Sequence, residues 1–201
     1  MTLPMWGEER PTHDRAASQW FTPPWLAKRL IAWCGSPAVS RALEPSAGGG
    51  ALVDAVRDRW FYSTTTAYET DPRWVAHLRQ NPDRLELHEA DFLASPVPSE
   101  PYDLAAMNPP FEGGQDLAFL RHAMRCSRRI VMICRLGFVA NQGTRRAVAE
   151  AGWSWVSIAS LGRVRFVGDG DTSPLSDFAA IKLTACAIGR FDAPTFEWWD
   201  R

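Results

Sequence analysis

The run Tyr102-Asp103-Leu104-Ala105-Ala106-Met107 ends abruptly at Asn108-Pro109-Pro110-Phe111, and no other stretch constrains the chain as much. Proline has no N–H to give to a sheet and forces the residue before it into extended backbone, so a strand that arrives here cannot continue. The result is a rigid tip. The Asn108 amide and the Pro109 carbonyl project past the sheet edge, and the Phe111 ring is expected beside them. Two acceptors and an aromatic plate suit a planar NH2 group. Taken alone, the same residues also read as a plain turn followed by a core phenylalanine.

From Thr22 onward, helix-like and strand-like segments alternate. Thr22-Pro23-Pro24 is a helix start, with Thr22 as the cap and proline in the first turn, and Trp25, Leu26, Leu30, Ile31 and Trp33 follow at helical spacing. Residues 41–45 read as a short strand, followed by Ser46-Ala47-Gly48-Gly49-Gly50 and a helix through Leu52, Val53, Val56 and Trp60. A second strand at residues 65–68 ends in Glu69 and Asp71, with a helix from Pro72. A third, Leu85-Glu86-Leu87-His88, leads into Asp91-Phe92. The fourth enters Asn108, and the fifth, residues 129–134, is apolar enough to be buried on both faces. Residues 145–151 read as helix, residues 153–158 and 179–188 as a closing antiparallel pair, and residues 163–177 as a polar loop long enough to suggest function.

This alternation implies an α/β fold with a parallel, doubly wound sheet and right-handed crossovers. Ligands in such sheets lie off the carboxyl ends of the strands. Four strands here finish in polar signals: Glu44, Glu69, Asp91 and Asn108. Backbone N–H groups around residues 47–50 permit close approach of a ligand, since glycine has no side chain in the way. Glu69, about 20 residues past that turn, is placed to accept the hydroxyls of a ribose, and Asp91 an adenine amino group with Phe92 beside the ring. Each acid taken singly reads as a surface charge; three acids and Asn108 together, in register at four strand ends, do not.

Thr22-Pro23, Glu44-Pro45-Ser46-Ala47-Gly48-Gly49-Gly50, Glu69-Thr70-Asp71-Pro72, Asp91-Phe92-Leu93 and Asn108-Pro109-Pro110-Phe111 resemble, in this order, the successive motifs of S-adenosylmethionine-dependent adenine-N6 DNA methyltransferases. The resemblance covers residues 19–138. Arg163-Val164-Arg165-Phe166 with Gly168-Asp169-Gly170 is similar, more weakly, to a loop of the small phage-type enzymes. The resemblance implies a Rossmann-like class I methyltransferase with a seven-stranded, mostly parallel sheet, helices on both faces and an antiparallel last strand.

It also implies roles. Thr22 and Pro23 would hold the methionine end of S-adenosyl-L-methionine, Glu44 its amino group, Pro45, Ser46, Ala47, Gly48 and Gly50 its close approach, Glu69 and Thr70 the ribose, and Asp91 and Phe92 the adenine. Asn108, Pro109, Pro110 and Phe111 would form the catalytic tip, and Arg163 and Arg165 would touch nucleic acid. The implied partner is DNA, with the target base flipped or single-stranded, or else RNA. A protein glutamine amide presents the same two hydrogens, but enzymes of that kind more often end the motif in Tyr; cytosine-N4 enzymes usually begin it with Ser. A non-catalytic partner subunit that binds the cofactor is the reading from another class, and a homodimer stays open.

Composition narrows the rest. With 201 residues, 46% hydrophobic and 22% charged, the chain suits one packed domain, expected over residues 19–201 behind a flexible tail at 1–18. Only 67 residues follow Cys134 (201 − 134), too few for a separate target-recognition domain once the sheet is complete. A net charge of −1 gives no general pull toward polyanions, so nucleic acid must be met by local arginines. The four cysteines and four histidines are scattered, and no metal is expected. No hydrophobic leader or spanning run is seen, so a cytoplasmic location is expected.

Overall fold

A computed structural model of the chain describes residues 20–35, 37–166, 176–185 and 193–199. The expected tail at 1–18, the Gly168-Asp169-Gly170 segment, and the end of the strand expected at 179–188 lie outside the described residues. Helix α1 (Pro24–Trp33) precedes the sheet, and then β1 (Arg41–Glu44), α2 (Ala51–Arg59), β2 (Thr64–Glu69), α3 (Pro72–Leu78) and β3 (Leu85–Glu89) alternate. They are followed by β4 (Leu104–Met107), α4 (Gln115–Cys126), β5 (Arg129–Arg135), the short α5 (Leu136–Ala140), α6 (Gln142–Glu150), β6 (Trp153–Gly162), β7 (Phe178–Ala185) and β8 (Thr195–Trp198). Among the described residues no helix is long and apolar enough to cross a membrane.

The strands form one sheet in the order β3-β2-β1-β4-β5-β7-β6-β8. Strands β1 to β5 pair in parallel, with Leu43 opposite both Thr66 and Ala105, and β7 enters antiparallel between β5 and β6. The expected sheet is thus present, with an eighth strand at its edge that sequence reasoning did not anticipate. Strand β8 runs parallel to β6 and is anchored by Glu197, whose carboxylate accepts from Trp33 Nε1 at 2.9 Å and from Ser157 Oγ at 3.0 Å.

Strand composition explains the layering. Along β4 and β5, Leu104, Ala106, Val131 and Ile133 face one core with Leu26, Leu30, Leu52 and Val56 of α1 and α2. The alternate residues Ala105, Met107, Ile130 and Met132 face the other with Phe119, Leu120 and Val148 of α4 and α6. A strand buried on both faces has no polar position to spare. Such strands become polar only where they leave the sheet, and that is where the candidate residues lie. Chain order reverses between β1 and β4, which opens a crevice at their carboxyl ends.

Helix starts follow local chemistry, with one correction. Asp71 caps α3 by accepting from Arg73 N at 2.9 Å, and Asn141 caps α6 by accepting from Gly143 N at 2.7 Å. Helix α1, however, is capped by Pro23 in extended backbone and not by the Thr22 side chain. Pro23 leaves its carbonyl to Leu26 N and Ala27 N, and Thr22 is turned inward, 7% exposed.

Candidate active site

The glycine turn after β1 is fastened to the end of β2. Ala47 N donates to the Tyr68 carbonyl at 2.9 Å, and Gly48 N donates to Glu69 Oε2 at 2.7 Å. Glu69 Oε1 accepts from Thr70 N and Asp71 N, both at 2.8 Å. A carboxylate offers about four lone-pair positions, and three are already engaged by backbone N–H groups. Glu69 is therefore first an organiser of the turn, with roughly one acceptor position left for a ligand.

Gly48 shows why the turn needs glycine. Its φ is +48°, and a Cβ placed there would lie 2.3 Å from the Phe21 ring, which itself packs on Trp74 at 4.4 Å between centroids. Gly48→Ala is expected to displace the ring and strain the backbone, costing about 1–3 kcal/mol. Thermal unfolding measures it, and an unchanged midpoint would show that the ring yields freely. Gly50 is left-handed as well, packs toward Leu78, and belongs to the start of α2 and not to the cavity.

Glu44 ends β1 only 2% exposed. Oε1 accepts from Ser46 N at 3.1 Å and lies 3.5 Å from Ser46 Oγ, while Oε2 is buried with no partner. Burial pushes its carboxyl up to about 8; the Ser46 N–H works against this and the Glu69 charge adds to it. An orphaned carboxylate oxygen at such a depth calls for a cationic or hydrogen-bond-donating guest.

Asn108 sits across the switch point. Its backbone carbonyl accepts from Ser46 Oγ at 3.3 Å, and its Nδ2 donates to the Trp20 carbonyl at 2.9 Å. A carbonyl can only accept, so this bond fixes which end of the amide is which. Asn108 Oδ1 is thereby turned the other way, buried and without a partner. Glu44 and Asn108 share a void of about 20 Å³ with Trp20, Phe21, Thr22, Ala47 and Gly49, about the space of one water-sized group.

Beside it lies a cavity of about 590 Å³, lined by Trp20, Phe21, Pro45, Ser46, Gly48, Tyr68, Glu69, Thr70, Asp91, Phe92, Asn108, Pro109 and Pro110 among others. That volume is within the ~300–1,000 Å³ typical of small-molecule sites. Asp91 is exposed in it, with Oδ1 accepting from Leu93 N at 2.9 Å. Phe92 is 2% exposed and reaches the cavity as part of an aromatic group with Tyr68 and Phe119. Ten of the expected residues thus meet on one cavity, and Thr22, Glu44 and Ala47 meet on the adjoining void.

Pro23, Gly50, Phe111, Arg163 and Arg165 line neither. Phe111 departs most from expectation: it is 6% exposed and packs on Phe178 at 5.5 Å and Phe166 at 6.3 Å. Its carbonyl accepts from Arg135, which stands 3.7 Å from Asp116. A phenyl ring next to an apolar core gains more by entering it than by standing in water. Arg163 and Arg165 are exposed, alternating with buried Val164 and Phe166. Sequence reasoning missed Trp20, Phe21 and Tyr68 as cavity residues, although each adjoins a residue it singled out or, for Trp20, precedes one by two.

No protein-family model and no curated protein matches the chain. Solved structures do. PH1948, a candidate RNA methyltransferase from Pyrococcus horikoshii, superposes with TM-score 0.71 at 18% identity over 87% of this chain and 90% of that one. A modification subunit of a candidate type I restriction enzyme from Vibrio vulnificus YJ016 gives TM-score 0.71 at 13% identity over 90% of this chain and 47% of its own. The 23S rRNA methyltransferase ErmE gives 0.66 at 23% identity over 84% and 70%. The chain therefore has the Rossmann-like class I methyltransferase fold.

Proposed function

We propose that this chain is an S-adenosylmethionine-dependent methyltransferase whose acceptor is the exocyclic N6 amine of adenine in nucleic acid. The observation that carries the reading is Asn108: its amide nitrogen is held by the Trp20 carbonyl, and its buried oxygen is unpartnered at the end of the strand beside the cavity. An oxygen fixed in this way is set to receive one hydrogen of a planar NH2 group, and the Pro109 carbonyl is the natural second acceptor.

The residues fit the cofactor. Glu44 Oε2, the orphan in the small void, suits an ammonium group; the turn at Gly48 allows close approach; Glu69 keeps about one acceptor position for a hydroxyl; Asp91 is open to the cavity. S-adenosylmethionine supplies an electrophilic methyl on a sulfonium. This chain supplies position and charge. Adenine N6 is a poor nucleophile because its lone pair is delocalised into the ring. Accepting both of its hydrogens favours a pyramidal nitrogen with that pair directed outward, and after transfer one of the two protons is lost to solvent. Fixed acceptors that need no reorganisation, together with near-attack placement, account for barrier reductions of about 7–11 kcal/mol in favourable systems.

For the polymer, motif order supports DNA, whereas two of the three similar folds are named for RNA substrates. The deciding experiment incubates the protein with labelled cofactor and either DNA or RNA, single- and double-stranded, followed by nucleoside mass spectrometry. N6-methyladenosine or its deoxy form is the expected product; label on a protein glutamine, or on nothing, would overturn the reading. Arg163 and Arg165 serve as phosphate contacts in this proposal. Replacing both by alanine is expected to reduce the slope of log affinity against log salt by roughly 1.4 to 1.8, and an identical slope would remove them from the interface.

A further inference from the structure

We propose that Trp20, not Phe111, is the aromatic plate on which the acceptor base stacks; this deepens the reading above and rests on it. The placement of the two rings decides between them. Phe111 is committed to the core between Phe166 and Phe178, and using it as a plate would mean withdrawing it. Trp20 is 40% exposed and lines both the large cavity and the small void that Asn108 borders. It is tethered at both ends: its carbonyl holds Asn108 Nδ2 at 2.9 Å, and its ring meets Phe166 edge-on, with centroids 6.3 Å apart at 68°. The bond that aims the Asn108 oxygen therefore also sets the indole beside it. A planar heteroaromatic amine gains from an indole face whatever its sequence context, whereas a glutamine side-chain amide has no ring to stack. Trp20 in this way favours a nucleobase over a protein amide as acceptor.

Trp20→Phe and Trp20→Leu test this in steady-state transfer to adenine-containing DNA and RNA oligonucleotides, alongside calorimetric titration of S-adenosylmethionine. Base–aromatic stacking predicts a fall in kcat/KM of about 10- to 100-fold for the leucine variant, a clearly smaller fall for the phenylalanine variant, and, because Trp20 also borders the cofactor's cavity, a loss of cofactor affinity well below the loss of transfer in the leucine variant. A leucine variant as active as the parent overturns the proposal, as does a phenylalanine variant equally impaired, or a loss of cofactor affinity that matches the loss of transfer. If the leucine variant does not fold, Trp20→Met, equally ringless, takes its place. A parent protein that methylates no oligonucleotide at all refutes the nucleobase reading itself, whereas failure confined to the variants refutes only the role of Trp20.

Discussion

Asn108→Ala is expected to lower methyl transfer by about 10²- to 10³-fold, the cost seen when one preorganised hydrogen-bonding group is taken from a transition state, while cofactor affinity stays within a few-fold of the parent. The change removes the buried oxygen that would receive an amine hydrogen and releases the Trp20 carbonyl, yet it leaves Glu44, the glycine turn and Glu69 in place. Asn108→Asp separates the two contributions. It keeps an acceptor at the tip but sets a carboxylate oxygen against the Trp20 carbonyl where an N–H had been, so the side chain is repelled from its anchor. Activity between the alanine variant and the parent is the expected result. Single-turnover transfer under saturating cofactor measures both, and near-normal turnover in the alanine variant would refute the assignment.

The parts of this site that the sequence made legible follow from one rule. Parallel strands all end on the same side, so Glu44, Glu69, Asp91 and Asn108, each at or just past the end of a strand, had to come to one edge of the sheet whatever the loops did. The short range of helix and strand patterning was enough to find them. Choices between two nearby alternatives were not decided by pattern. Whether Thr22 or Pro23 caps α1 depends on whether the threonine gains more by pointing inward, and whether Phe111 faces ligand or core depends on Phe166 and Phe178, which come from distant strands and loops.

Strand β8 escaped notice for a different reason. Its four residues, Thr195-Phe196-Glu197-Trp198, alternate polar and apolar but are too few and too exposed to stand out, and its place is set by distant partners, the pairing with β6 and the bonds that Glu197 accepts from Trp33 and Ser157. The contact between Trp20 and Asn108 spans 88 residues; nothing local announces it. Glu69 is the instructive intermediate case. Its position at the end of β2 was legible, but the sequence cannot show that three backbone N–H groups, those of Gly48, Thr70 and Asp71, reach its carboxylate.

Glu44→Gln should weaken S-adenosylmethionine binding by about 30- to 4,000-fold, the range for removing one partner of a buried charge pair, and should also abolish a pH dependence with two opposite signs. Burial raises the Glu44 carboxyl from 4.5 to about 8, so between those values the folded protein holds a proton that the unfolded chain has lost. The stability associated with that proton is full below pH 4.5, declines as pH rises, and is gone above about 8. This group therefore makes the unliganded protein less stable with rising pH across that window, and glutamine, which cannot ionise, flattens the slope. Cofactor binding runs the other way. An ammonium beside Oε2 favours the carboxylate, so binding near neutral pH releases up to about one proton per site, and affinity rises as pH approaches 8. Titration calorimetry in buffers of different ionisation enthalpy counts the released proton, and thermal unfolding from pH 5 to 8.5 follows the stability. If the glutamine variant binds as tightly as the parent and keeps its slope, the orphaned oxygen of Glu44 does not receive the cation.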